Sequence, residues 1–314
     1  MNDELRKTCD EFLNNQLIFK EAFPFSYTRA IGAVASYYFM SQNVEANEEM
    51  LKLCRKIIRQ YSGLFSSFRG NGELIYTVML ASDDDPGNKM SLALAAYDAL
   101  KIYFRQTPYL TFLAMMMVDQ VSPSSYHLIA GLTNTSYSLM KERHLFLTSD
   151  EDVPYAGLFA MSQKSTKGLV EESEQIYTAL KSNFSIFSNN AIQSVSHALA
   201  LCSGDAMTKC EKLLRLYDLA YENKLRYGHS FELVALGVLA NLGIDHTKLV
   251  EDLLDVSEYL KAHYPLFSGA RRRYHAIMVC AAHYMSANVE LTSAIVIATL
   301  LEIQQQQAAA AAAT

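Results

Sequence analysis

One segment of the chain concentrates side chains that could bind or activate a small molecule. Asn190, Gln193, Ser194 and His197 recur at intervals of three and four residues, so in a helix they form a single polar stripe. Histidine ionises near neutral pH, and the amide and hydroxyl groups beside it are suited to holding a polar ligand. The stripe predicts a ligand contact, with His197 as the first choice for a general base. A buried histidine that bridges neighbouring helices is the alternative interpretation.

Arginines that precede or open predicted helices form the second candidate. Arg271, Arg272 and Arg273 are the densest basic run, and Arg69 and Asn71 flank a glycine. A guanidinium fork beside the exposed N–H groups of a helix start favours a phosphate or carboxylate. The alternative is a solvated loop whose arginines pair with nearby acids. The full set of candidate ligand-binding residues is Arg69, Asn71, Asn190, Gln193, Ser194, His197, Arg271, Arg272 and Arg273.

The residue spacing does not support a metal site, a catalytic nucleophile or a nucleotide-binding loop. Three consecutive aspartates, Asp83–Asp85, precede Pro86 and predict a turn and a helix start, because a helical magnesium–diphosphate site needs carboxylates one turn apart. His275 and His283 have no third ligand at metal spacing. The sequence contains no nucleophile elbow, P-loop or dinucleotide fingerprint. We therefore expect no metal and no cofactor.

Bulk properties bear on compartment and partners. The formal net charge of −6 argues against a nucleic-acid partner. Five cysteines leave an odd thiol under any full pairing, which predicts reduced, packed side chains. The first residues mix charges and do not resemble a secretory signal, and the apolar stretch Leu291–Ile303 has 13 residues, too few to span a bilayer. We expect a cytoplasmic protein without a transmembrane segment.

A repeated phrase indicates the elements that must position these residues. It recurs every 40 residues, as Tyr97-Asp-Ala-Leu-Lys101, Tyr137-Ser-Leu-Met-Lys141, Tyr177-Thr-Ala-Leu-Lys181, Tyr217-Asp-Leu-Ala-Tyr221 and Ser257-Glu-Tyr-Leu-Lys261. Strongly apolar segments of helical length lie between the phrases, and only 13 glycines and 6 prolines occur in 314 residues. The pattern predicts an all-α protein of about seven helical hairpins of about 40 residues.

The predicted hairpins form one domain over residues 1–314, with an N-terminal capping helix at 1–22 and a Gln/Ala-rich tail at 304–314. First helices are apolar nearly all round, and second helices are amphipathic, so an inner and an outer layer are expected. An open right-handed α-solenoid is the first choice of arrangement, and a closed α/α toroid is the alternative. Thr28, Ser149, Asn190 and Ser230 precede apolar runs and are predicted helix caps.

Four stretches of the chain resemble those of one bacterial family. They are Ser62-Gly-Leu-Phe-Ser-Ser-Phe-Arg-Gly-Asn71, His144-Leu-Phe-Leu-Thr-Ser-Asp150, Ser188-Asn-Asn-Ala-Ile-Gln-Ser-Val-Ser-His-Ala-Leu-Ala-Leu201 and Tyr227-Gly-His-Ser-Phe-Glu-Leu-Val-Ala-Leu-Gly-Val-Leu239. The chain is similar over nearly its whole length to the domain of unknown function 4003 (DUF4003). The resemblance implies a helical fold and assigns no reaction, ligand or catalytic residue.

The sequence thus favours a binding or interaction module that uses its inner surface. The partner would be a protein or a small anionic or apolar ligand, and the tail could pack against a second copy. The alternative is an α/α-toroid enzyme in which His197 is the acid or base, and Arg69 or the run from Arg271 to Arg273 holds an anionic group.

Overall fold

The computed structural model describes residues 1–63, 66–70, 72–184, 189–228, 230–264, 269–285 and 288–312, and the side chains of these residues as far as 303. Within these ranges the regular structure is helical, with no strand. The α-helices are α1 (Asp3–Ala22), α2 (Arg29–Ser41), α3 (Glu48–Tyr61), α4 (Glu73–Ala81), α5 (Pro86–Leu100), α6 (Pro108–Gln120), α7 (Tyr126–Arg143), α8 (Val153–Met161), α9 (Thr166–Lys181), α10 (Asn189–Leu201), α11 (Ala206–Glu222), α12 (Glu232–Ala240), α13 (His246–His263), α14 (Gly269–Tyr284) and α15 (Val289–Ala312). The prediction of an all-α protein is confirmed.

Short polar signals set the helix boundaries as the sequence predicts. The side chain of Thr28 accepts the N–H of Ile31 at 3.2 Å at the start of α2. Asp85 caps α5 in the same way, and Pro86 occupies the first turn, where its missing N–H costs least. Ser149 caps the short 3-10 helix that leads into α8. Asn190, by contrast, is the second residue of α10, so the prediction that it caps the helix is wrong.

The capping prediction for Ser230 is also wrong. Phe231 occupies the cap position of α12, and no side chain there accepts a hydrogen bond from the helix. The apolar run starts only at Leu233, and the sequence pattern alone does not resolve where the chain turns before it.

The first and second helices differ in burial, as their compositions predict. Every residue of α4 is buried, as are residues 191–201 of α10, so these first helices are covered on all sides. The second helix α3 buries Leu51, Cys54 and Ile58, at spacings of three and four, and exposes its charged face. All five cysteines are buried free thiols, as predicted.

The chain divides into two compact units. One contains Met1–Asn14 and Glu171–Gln306, and the other contains Asn15–Val170 and Gln307–Thr314. In the second of these, which we call unit 2, α2, α4, α6 and α8 form one row of packed helices, and α3, α5 and α7 form another. In unit 1, α10, α12 and α14 form one row, and α11 packs against α13. Alternate helices therefore contact each other within each unit.

The repeated Tyr-x-x-x-Lys phrase has a structural meaning. Its lysine lies over the ring of the tyrosine one turn earlier, at 5.3 Å for Lys101 on Tyr97 and 5.6 Å for Lys141 on Tyr137. The same tyrosine makes an edge-to-face contact with a phenylalanine from the loop after the previous second helix, as in Phe104 and Tyr137 at 5.7 Å. Phe68 and Tyr97 make the equivalent contact at 5.3 Å. The phrase thus joins a second helix to the loop of its neighbour.

The first half of α1 belongs to unit 1. The ring of Phe12 meets that of His275 edge-on at 5.7 Å, and Thr8 Oγ1 lies 3.0 Å from Nδ1 of His283. Burial lowers the pKa of His283, which favours the neutral ring. Both histidines thus make the aromatic and hydrogen-bonding contacts of a packed interior. The described residues contain no group of three or more His, Cys, Asp or Glu that could hold a metal ion.

Candidate functional site

The predicted polar stripe lies on α10 and is mostly buried. Gln193 and Ser194 are each 2% exposed and His197 is 3% exposed, whereas Asn190 at the start of the helix is exposed. The hydroxyl of Ser196 donates to the carbonyl of Gln193 at 2.7 Å. Because α10 packs against α11 and α12, the stripe lies inside the helix layer. The imidazole is therefore placed in the interior of unit 1.

The arginine run lies at the N-terminal end of α14, in the same unit. Arg271 is exposed, and Arg272 and Arg273 are half-buried. A Cβ atom placed on Gly269 would lie 3.2 Å from Nη1 of Arg273 and 3.8 Å from Nη2 of Arg272. The two guanidinium groups thus reach back over the first turn, where the free N–H groups of a helix start give a positive potential. Two positive charges beside that potential favour an anion.

A half-buried carboxyl on the neighbouring helix interacts electrostatically with Arg273. Glu232 opens α12, which packs against α14. Its Oε1 accepts a hydrogen bond from the N–H of Gly228. Burial raises the pKa of Glu232, whereas the Gly228 bond and the charge of Arg273 act to lower it, and burial prevails. The carboxyl is therefore easier to protonate than an exposed glutamate.

A tyrosine hydroxyl is the third polar group considered together with Arg273 and Glu232. Tyr227 is 5% exposed, and within the described part of the chain its hydroxyl has no hydrogen-bond partner. Burial raises the pKa of Tyr227, and the charges of Cys280 and Glu232 raise it further, whereas Arg273 lowers it. The hydroxyl of Tyr217 donates to the backbone carbonyl of Tyr227 at 3.1 Å and fixes this residue. We call Tyr227, Glu232 and Arg273 the 232 cluster.

Chemically, the 232 cluster combines a cation, a half-buried acid and a neutral hydroxyl. The guanidinium can hold a carboxylate or phosphate, and the tyrosine can donate a hydrogen bond to it. The acid can accept or deliver a proton, because its pKa is shifted toward neutral pH. These are the components of a site for a small anionic molecule.

Unit 2 contains a glutamate at the equivalent place in a different environment. Glu73 opens α4 and accepts hydrogen bonds from Arg55 at 3.0 Å and from Arg59 at 2.6 Å. Burial acts to raise the pKa of Glu73, but the bonds from the two arginines outweigh it and lower the pKa. Glu73 is thus a neutralised structural ion pair, and Glu232 is not.

Arg69 holds a loop in place. Its guanidinium donates to the hydroxyl of Ser62 at 3.3 Å, to the carbonyl of Ser62 at 2.6 Å, and to the carbonyl of Arg59. These carbonyls belong to the C-terminal end of α3, where a cation satisfies groups that the helix leaves open. Arg69 belongs to unit 2, whereas the stripe and the arginine run belong to unit 1. Asn71 lies outside the described residues.

The structure therefore brings together some of the predicted residues and adds two. Arg273 and the α10 stripe lie on helices that both pack against α12. Tyr227 and Glu232 appear above only within a stretch that carries the family resemblance. Partial burial distinguishes this glutamate from an ordinary surface acid, and the sequence does not display it. A sequence signal for this glutamate is the glycine four residues before it. A side chain at Gly228 would collide with the carboxyl, because a Cβ there would lie 2.6 Å from Oε1 of Glu232.

Two shallow surface depressions lie apart from the predicted residues. One, of about 630 Å³, lies in unit 2 and is acidic, with Glu45, Glu49, Asp83 and Asp84 in its lining. The other, of about 530 Å³, lies in unit 1 between α11 and the loop after α12. Neither contains a residue of the 232 cluster. None of the described helices is both long and apolar enough to cross a bilayer.

Comparison with known proteins gives a family. No curated protein and no solved structure matches the sequence. The profile described as protein of unknown function (DUF4003) matches residues 18–308, which is nearly the whole chain, and confirms the resemblance stated above. The chain belongs to the DUF4003 family.

Proposed function

We propose that this protein is a cytoplasmic binding module that recognises a small anionic molecule at the 232 cluster. The observation that carries the proposal is that the half-buried carboxyl of Glu232 interacts electrostatically with Arg273, across the packed helices α12 and α14. The ligand's carboxylate or phosphate would be held by the guanidinium and by the helix N–H groups. Tyr227 would donate its hydroxyl to the same anion.

The ligand also needs a group that can hydrogen bond to Glu232. A ligand hydroxyl or amine would donate to the carboxylate, and a second ligand anion would be tolerated only with Glu232 protonated. The cluster therefore favours a molecule with an anionic group and a donor separated by a few bonds, such as a hydroxy acid or an amino acid. The predicted stripe lies on α10, the other neighbour of α12 in this row, with Asn190 as its exposed member.

The stacking of hairpins supports the wider architecture that we propose. Within each unit, alternate helices pack in two rows, and the Tyr-x-x-x-Lys contact recurs. We propose that the chain is a single stacked domain of helical hairpins, an open α-solenoid or a closed α/α toroid, with its ligand on the first-helix layer.

Ligand-dependent thermal stability tests the proposal. The purified protein is heated with a panel of hydroxy acids, amino acids and phosphorylated metabolites, and the melting temperature is recorded. A ligand at about 100 times its Kd stabilises the folded state by about 2.7 kcal/mol, which is easily measured. We expect Arg273→Gln to abolish the shift. Arg215→Gln, on the exposed face of α11, is the matched control and should retain it. If both variants respond like the wild type, the 232 cluster is not the binding site.

An enzymatic function is the second candidate, and the raised pKa of Glu232 favours it. Glu232 would then act as a general acid or base, with His197 as the residue that the sequence predicts for this role. Glu232→Gln preserves the shape of the side chain but cannot transfer a proton. If the variant still binds the ligand and the wild type converts it, the protein is an enzyme. If the wild type leaves a bound ligand unchanged, it is a binding module.

A further inference from the structure

A buried lysine of unit 2 lies between two carboxyl groups. Lys89, in the first turn of α5, has a side chain that is 4% exposed. Its Nζ lies 2.5 Å from Oδ1 of Asp119 and 3.7 Å from Oδ2 of Asp83. Asp119 in the last turn of α6 is an exposed residue as a whole, but its side chain is 23% exposed. The lysine nitrogen is therefore in direct contact with a carboxyl group that is largely turned away from water.

A tyrosine hydroxyl holds the other oxygen of the Asp119 carboxyl. Tyr38, near the end of α2, is 7% exposed, and its hydroxyl donates to Oδ2 of Asp119 at 3.2 Å. A hydrogen-bond donor on this oxygen stabilises the negative charge that develops there when a nucleophile attacks the carboxyl carbon. Oδ1, which lies next to Lys89, is left as the oxygen that can depart.

The second acid is placed to carry a proton. Asp83 follows α4, and its Oδ1 accepts the N–H of Asp85 at 2.9 Å, which fixes the orientation of the carboxyl. Its Oδ2 is the atom that pairs with Lys89. A carboxylate in this position can take a proton from the nitrogen and deliver it to a departing oxygen. Lys89 thus has both a carboxyl to attack and a separate general base.

The environment favours the neutral form of the carboxyl that Lys89 contacts. Burial raises the pKa of Asp119, whereas the charge of Lys89 and the hydrogen bonds from Lys89 and Tyr38 act to lower it, and burial prevails. A neutral carboxylic acid is a better electrophile than a carboxylate. Conversion of a buried ion pair into an uncharged product also removes the cost of keeping two charges out of water.

We propose that Lys89 and Asp119 condense to an amide bond that joins α5 covalently to α6. One proton moves from the ammonium to Asp119, which leaves a neutral amine and a carboxylic acid. The nitrogen lone pair attacks Cγ of Asp119 and forms the C–N bond, while Tyr38 stabilises the charge on Oδ2. Asp83 takes a second proton from the nitrogen and delivers it to Oδ1. The Cγ–Oδ1 bond then breaks and one water leaves, so no oxidant or other co-reactant is consumed.

Proximity supplies the driving force. Water opposes the condensation of free amines and acids, but groups held in contact react as if present at about 10⁵–10⁸ M. Unit 1 offers an internal comparison. Lys209 is fully buried and its Nζ lies 2.6 Å from Glu172, but within the described residues it pairs with no second carboxyl. We expect this pair to stay ionic. The proposal is independent of the 232 cluster, which belongs to unit 1.

Mass spectrometry of the full chain tests the proposal. We expect folded wild type to lose the mass of one water on incubation, relative to the same chain kept unfolded in urea. Its digest should contain one branched peptide that joins the segments of Lys89 and Asp119. Asp83→Asn and Tyr38→Phe leave the reacting pair in place and should slow the reaction at least about tenfold. Lys209→Met, the matched control, should react as the wild type does.

Three outcomes would overturn the proposal. The first is a folded wild type that keeps its full mass, a measurement that does not depend on whether any variant folds. The second is loss of water that persists in Lys89→Met, since an aspartate would then have cyclised on its own backbone. The third is an equal rate in the wild type, Asp83→Asn and Tyr38→Phe. Far-UV circular dichroism checks that each variant is folded.

Discussion

Gly157 allows α8 to approach α6 closely, and replacing it by alanine tests the packing of the first-helix row. A Cβ at this position would lie 2.8 Å from Cδ2 and 3.0 Å from Cγ of Leu113, and closer still to Cδ1. Leu113 is fully buried. Rotation about the Cβ–Cγ bond leaves the Cγ contact in place, so the buried leucine must change its rotamer about the Cα–Cβ bond or the two helices must move apart. Overpacking of this kind costs about 1–3 kcal/mol.

The helix itself gains from the same substitution, because alanine is favoured over glycine in a helix by about 1 kcal/mol. Gly131→Ala in α7 is the matched control. A Cβ there would meet only the hydroxyl of Tyr103, at 3.6 Å, which is an ordinary contact. We expect Gly131→Ala to stabilise unit 2 by about 1 kcal/mol. Because the helix term is common to both variants, their difference is the packing term, about 1–3 kcal/mol.

Equilibrium unfolding in urea, followed by far-UV circular dichroism, measures the change in unfolding free energy for both variants, provided that their m-values agree. Leu113→Val in the Gly157→Ala background should recover part of the loss, since it shortens the side chain that the new methyl group meets. The coupling between the two sites is obtained from the double-mutant cycle. If Gly157→Ala is as stable as Gly131→Ala, the close contact between α6 and α8 does not exist.

Three further predictions concern unit 1. Gly228→Ala would place a methyl group 2.6 Å from Oε1 of Glu232 and break a charge-assisted hydrogen bond. We therefore expect the free energy of unfolding in urea to fall by about 1–2 kcal/mol, whereas Gly131→Ala should cause no such loss. Because the pKa of Glu232 is raised above its ordinary 4.5, this residue contributes stability in acid that is lost as the pH rises through its pKa. Glu232→Gln should therefore be more stable than the wild type at pH 8 and equal to it at pH 4, and the reverse order would contradict the raised pKa. Lys209 is fully buried, and its ammonium lies 2.6 Å from Glu172, so Glu172→Gln should cost about 2–3 kcal/mol, whereas Lys209→Met should stay within about 1 kcal/mol of the wild type. Equal losses of stability in Glu172→Gln and Lys209→Met would contradict this prediction, because they would show that water solvates the ammonium group of Lys209.

Much of the fold could be predicted because helical periodicity is a local property. The apolar segment Leu74–Ala81 corresponds to α4, at Glu73–Ala81, and the apolar segment Ala191–Leu201 lies within α10. The aspartates before Pro86 form the predicted turn and cap. Each of these depends only on neighbours within one or two turns of helix, which the sequence displays directly.

The candidate site was less predictable because its properties arise between helices. Arg69 was a candidate for an anion because a guanidinium beside the N–H groups of a helix start favours a phosphate or carboxylate. It instead satisfies carbonyls at the end of the preceding helix, which requires knowing where the loop turns back. Lys89 and Lys209 are buried ion-pair partners that the sequence analysis did not single out. Their spacing of 120 residues, three times the repeat length, is a signal that could have indicated them.

The contrast between Glu73 and Glu232 is what directs the functional argument to unit 1. Each opens a first helix. Glu73 is buried and Glu232 is half-buried, and loss of hydration costs free energy for a charged group. Glu73 recovers this cost through two arginines on the adjacent second helix, so its role is complete within the fold. Within the described residues, Glu232 has one glycine N–H, and Arg273 acts on it from the neighbouring first helix without forming an ion pair. A half-buried acid that the fold leaves partly uncompensated lowers stability, and a ligand that supplies the missing hydrogen bonds restores it. The same imbalance therefore predicts that ligand binding stabilises unit 1 and that Glu232→Gln gives part of that stabilisation without ligand.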